Sequence, residues 1–141
     1  MKNIYLLSAL LLFSLAVIGQ ETNKKRVNYE TAVSFGSMCC GTASDDFLKD
    51  FHKKFNKTNK VVIPAFIASG CGKEGEYKVL FSLIKLKPLV KKKFLNELST
   101  LITKQGKKNR DKNSSSGTIS IEKNLVRTEL DFCRGGIKKW Q

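Results

Sequence analysis

Between Ile67 and Leu80 the chain enters on an apolar run, is broken by Gly70, Gly72 and Gly75, and leaves on a second apolar run. Glycines between two short apolar runs predict two strands joined by a tight loop, with Cys71 in the bend. A chain that turns back here cannot carry one long helix through its middle. The segments on either side then fall into a repeating strand, helix, strand order.

Upstream, Val27, Tyr29, Thr31, Val33 and Phe35 alternate with Asn28, Glu30, Ala32, Ser34 and Gly36, the period of a strand with one buried face. A small-residue loop over Gly36–Gly41 leads to helix-start signals at Thr42, Ser44, Asp45 and Asp46. Phe47, Leu48, Phe51 and Phe55 then form one helical stripe, and Asn56 to Lys60 ends it. Val61 to Ala68 reads as a strand containing Pro64, which cannot donate to a ladder and so predicts a sheet edge. After the glycine loop, Tyr77, Val79, Phe81 and Leu83 alternate with Lys78, Leu80, Ser82 and Ile84; both sets hold apolar residues, as in a central strand. Lys87-Pro88 opens a second helix with a stripe of Val90, Phe94, Leu98, Leu101 and Ile102, and Gly106 is the expected stop. Residues 106–117 are expected as a mobile polar linker. Two short β-patterns follow, Ile119 with Ile121 and then Val126, Thr128, Leu130 and Phe132. Their phase flips, which requires a bulge or turn near Glu122-Lys123-Asn124.

The resulting order, β-α-β-β-α-β, resembles the ferredoxin-like split βαβ plan, an α+β sandwich with two helices on one face of an antiparallel sheet. An extra C-terminal strand is allowed by the split final pattern. The resemblance is to a fold and implies no activity. One α+β domain is expected over residues 27–133, with 134–141 as a tail and 20–26 as a flexible N-terminus.

Lys2 followed by the almost unbroken apolar run Ile4–Ile18 has the form of a secretory signal peptide, residues 1–19, cleaved after Gly19. A retained anchor is the alternative. No later stretch approaches membrane-spanning length, so the processed chain is expected to be secreted or periplasmic in a bacterial envelope, without a membrane span. Processing would leave 25 basic residues against 12 acidic, a net charge of +13 on 122 residues. Such a charge gathers anionic polymer or lipid at low salt. Of the 26 basic residues 22 are lysine, however, whereas phosphate and base readout favour arginine's fork. With no RNP1 pattern, and only the single Arg134-Gly135-Gly136 triplet, specific nucleic-acid binding is not expected.

Four cysteines in a small exported chain point to disulfides among Cys39, Cys40, Cys71 and Cys133, with three pairings open. The split plan runs the first two strands in the same direction, which brings Cys39, Cys40 and Cys71 to one rim of the sheet. Thiol redox chemistry or metal handling by these three is the alternative reading. No C-x-x-C pair exists and the lone His52 sits mid-helix, so no metal or other cofactor is expected. Glu74 and Glu76 read as a solvated turn, His52 as a partly exposed surface residue, and no catalytic motif is present. The sequence therefore describes a binding or structural module rather than an enzyme. The expected contact surface combines the cysteine rim with the open sheet face: Gly70, Gly72, Lys73, Glu74, Leu80 and Ile84. Its partner would be another envelope protein, a second copy, or an anionic surface.

Overall fold

A computed structural model describes residues 28–39, 41–111 and 117–141. The signal peptide, the 20–26 segment, Cys40 and residues 112–116 of the expected linker lie outside the described residues. The elements are β1 (Tyr29–Gly36), α1 (Asp46–Asn59), β2 (Ala65–Ser69), β3 (Tyr77–Phe81), α2 (Pro88–Asp111), β4 (Thr118–Leu125), a 3₁₀ turn (Arg127–Leu130) and β5 (Ile137–Lys139). The chain is of the α+β class. Its strands form one antiparallel sheet in the order β4-β1-β3-β2-β5, so β3 is central and β5 adds a strand to the four-stranded plan.

Strand alternation divides the sheet into two faces. Val33, Phe35, Val79 and Phe81 turn toward both helices, where Leu48 and Phe55 of α1 and Phe94, Leu98 and Ile102 of α2 complete the main core. The aromatic centre is tightly interlocked: Phe94 meets Phe51, Phe55 and Phe81 at ring separations of 5.4, 5.1 and 5.2 Å. Helix α1 begins where Ser44 Oγ accepts the Asp46 N–H. It ends at Lys60, whose left-handed backbone lets the Val61 N–H reach back to the Asn56 carbonyl.

Four expectations are corrected. Helix α2 does not stop at Gly106 but runs to Asp111. A glycine inside a helix costs only about 1 kcal/mol relative to alanine, and Lys107 and Lys108 are good helix formers. The 126–132 pattern is not a strand. Asn124 takes a left-handed conformation, and past Leu125 the chain closes a 3₁₀ turn held by the Val126 N–H on Glu129 and the Arg127 N–H on Asn28. Strand β2 is not an edge, because β5 pairs along its far side. Pro64 is tolerated because it lies one residue outside that ladder, which closes with the Trp140 N–H on the Ala65 carbonyl. Finally, residues 134–141 are not a loose tail: β5 is paired and Trp140 is buried in the main core.

The opposite face of the sheet is not open. Ala32, Ala68 and Leu80 are covered by Leu125, Leu130 and Cys133, which form a second, smaller core with Tyr29, Phe66 and Ile137.

Candidate functional site

The cysteine rim is assembled as the strand directions require. β1 and β2 both run antiparallel to β3, so the loops that follow them lie at one end of the sheet. The Ser37 hydroxyl bonds the Glu74 carboxylate across these two loops. Cys71 is disulfide-bonded to Cys133, joining positions 62 residues apart in sequence. Cys39 is exposed on the same rim.

Beside the disulfide, the C-terminal loop is laid onto the end of β2 by backbone bonds. The Arg134 N–H reaches the Gly70 carbonyl at 3.1 Å and the Gly135 N–H reaches the Ser69 carbonyl at 2.9 Å. A Cβ on Gly135 would sit 2.9 Å from that carbonyl oxygen, so the close approach needs glycine. The Arg-Gly-Gly triplet is therefore the bend that feeds β5.

This geometry redistributes the expected surface. Gly70 is occupied by the C-terminal loop, and Leu80 is completely buried in the second core. Gly72, Lys73 and Glu74 are exposed, but the Glu76 carboxylate folds over Gly72 and accepts the Glu74 N–H at 2.8 Å, so the acids serve the turn itself. Ile84 is exposed at the other end of the sheet. The structure does not bring the six residues together.

His52 is half-buried: it stays partly exposed, but its ring is held against the core. Its Nε2 donates to the Ile63 carbonyl at 2.9 Å, and its ring packs between Phe81 and Trp140 at 5.7 and 5.6 Å. Burial pulls its pKa below the ordinary histidine value, outweighing the Ile63 bond. Tyr77 donates its hydroxyl to the Ala43 carbonyl, and burial, with Asp45 and Asp46 nearby, pushes that hydroxyl's pKa well above the ordinary tyrosine value. Among the described residues no group of three or more His, Cys, Asp or Glu is placed to hold a metal ion. Nor is any helix among them long and apolar enough to cross a membrane.

The feature that the sequence reading missed lies at the opposite end from the disulfide. There the α1–β2 loop and the β3–α2 loop run side by side, tied by the Ser82 N–H to the Pro64 carbonyl at 3.0 Å. Continuing the β2–β3 register beyond Ala65 and Phe81 sets Val62 opposite Ile84. Both are apolar and solvated, Val62 85% and Ile84 74% exposed, and Leu89 in the first turn of α2 is 82% exposed.

The charge carried by the two tip loops themselves has one sign. Between Asp50 and Glu97 the chain carries eleven lysines, and its only acids are Glu74 and Glu76 in the loop at the far end. Lys60, Lys85 and Lys87 are exposed on the two tip loops. Glu30, the carboxylate near the tip, accepts the Leu83 N–H at 2.7 Å and pairs with Lys91. The signal for this site was in the sequence after all, as a gap in the acidic residues rather than as a motif.

Comparison with protein-family models, curated proteins and solved structures returns no match for this chain.

Proposed function

We propose that this chain is an exported, disulfide-tied binding module that attaches to anionic lipid through the tip formed by residues 60–64 and 82–89. The supporting observation is the combination, on one end of the fold, of Val62, Ile84 and Leu89 projecting into solvent with Lys60, Lys85 and Lys87 around them. Apolar side chains that project singly are ordinary; two on adjoining loops and a third on the helix turn beside them, ringed by one charge, match what a bilayer interface offers. The apolar tips enter the headgroup region and the lysine stems let their ammonium groups stay at the phosphates. Each lysine at an anionic surface contributes about 1 kcal/mol, so the attachment is reversible and charge-dependent. The disulfide supports the export part of this reading, because such bonds persist in oxidising compartments.

Vesicle flotation tests it. Vesicles of phosphatidylcholine with phosphatidylglycerol should carry the protein up the gradient, and phosphatidylcholine alone should not. Val62→Asp and Ile84→Asp should each reduce flotation several-fold. Equal binding by these variants, or binding to an acidic polysaccharide such as heparin but not to the anionic vesicles, would refute the lipid assignment.

A further inference from the structure

A second surface, independent of the tip, runs along the outer side of β4. One edge of β4 pairs with β1 in register from Tyr29↔Leu125 to Gly36↔Thr118; the other has no strand beside it among the described residues. Such an edge is a ready template for an added strand unless it is blunted by charge, proline or a bulge. Among the described residues the protection is confined to one end, at Lys123 and the left-handed Asn124, and none of them guards Thr118 to Ile121.

Beside this edge, under α2, lie two cavities of about 540 and 360 Å³ that share Ser99 and Ile121. Leu95 and Ile102 of α2 and Ile119 and Ile121 of β4 give them apolar walls. At one end stand Lys91, Lys92 and Lys123, and no aspartate or glutamate lines either cavity. Lys91 is engaged by Glu30, whereas Lys92 and Lys123 are exposed.

We propose that this trough receives an extended, acidic peptide strand of another protein, added to the free edge of β4. Backbone bonds to β4 hold the strand, every second side chain drops between α2 and β4, and a carboxylate at one end meets Lys92 and Lys123. A second copy of this chain fits less well. The only carboxylate on β4 is Glu122, which faces the opposite side of the sheet and is held there by Lys78 and Ser34.

The test uses a blocked synthetic peptide of about ten residues, long enough for one strand, alternating valine and threonine with two aspartates at one end. It should bind the oxidised full chain and slow amide hydrogen exchange across Thr118–Lys123. The same peptide with lysines in place of the aspartates should bind at least about tenfold more weakly. Ser99→Trp, at an exposed helix position facing both cavities, should block binding while leaving the circular dichroism spectrum unchanged. Lys92→Glu combined with Lys123→Glu should invert the peptide preference. Failure of the acidic peptide to bind, equal affinity for both peptides, or indifference to Ser99→Trp would overturn the proposal. So would a dimer in sedimentation that Ser99→Trp dissolves, since that makes a second copy the occupant.

Discussion

Trp140 donates its indole N–H to the Asp45 carboxylate at 2.7 Å, joining the end of β5 to the start of α1 across 95 residues of sequence. The same ring stands edge-on to Phe81 and lies against His52. Trp140→Phe keeps an aromatic body but leaves Asp45 without this donor. A hydrogen bond to a charged group is worth about 1.5–3 kcal/mol, which sets the expected loss in urea unfolding. Trp140→Ala, which empties the site as well, should cost about 3–5 kcal/mol.

The disulfide closes a loop large enough to restrict the unfolded chain substantially. With Cys71 and Cys133 both replaced by alanine, the urea midpoint should fall by an amount equivalent to about 4 kcal/mol on the loop-entropy scale. Reduction of the wild-type chain should match it, with no additional loss in the double variant under reductant.

Gly135→Ala places a methyl group against the Ser69 carbonyl and hydroxyl oxygens. A loss of about 1–3 kcal/mol is expected, the usual range for overpacking. Gly136 takes a left-handed backbone but has open space around it, so Gly136→Asn should be milder than Gly136→Val in the same measurement.

Acid should weaken the fold in two stages. His52 has a folded pKa lowered by burial, so its contribution is complete above the ordinary histidine value and is lost as pH falls from there toward the lower folded value. For Glu122, burial alone would raise the pKa, but hydrogen bonds from Lys78 and Ser34 and the Lys78 charge more than offset it, leaving a net lowering. Its contribution is complete above the ordinary carboxylate range and is lost as pH falls through the folded value. Urea midpoints followed against pH should therefore decline first near neutral-to-mild acid and again in stronger acid. His52→Gln should flatten the first decline and Glu122→Gln the second; an unaltered profile in either variant would contradict the assignment.

Elements that bury one face over many residues were legible in advance. The alternation through Thr31, Val33 and Phe35 and the stripe of Phe94, Leu98 and Ile102 each report a periodic contact with a core. Legibility failed where a few residues are placed by distant ones. β5 holds three residues and a single apolar side chain, Ile137, so its position depends on the bend at Gly135-Gly136 and the covalent tie at Cys133. Val126, Thr128 and Leu130 alternate like a strand, yet the ladder has ended and only Leu130 of the three is deeply buried. The same alternation leaves Leu80 without a cover in the sequence, because a strand paired at the sheet edge cannot also lie across its face as Leu130 and Cys133 do. At the tip the alternation simply outlasts the ladder. Val62 and Ile84 continue the patterns of β2 and β3, but no further element among the described residues packs on them.

The pairing of Cys71 with Cys133 also sets a timetable for maturation. A polypeptide delivered N-terminus first exposes the Cys71 thiol while its mate, Cys133, is still 62 residues away. An oxidant that engages Cys71 at that moment can only give it a wrong partner, and thiol–disulfide exchange must then undo the error. Productive oxidation belongs to the interval after the final segment has threaded across the sheet, so the yield of properly joined chains should rise when oxidation is delayed relative to emergence.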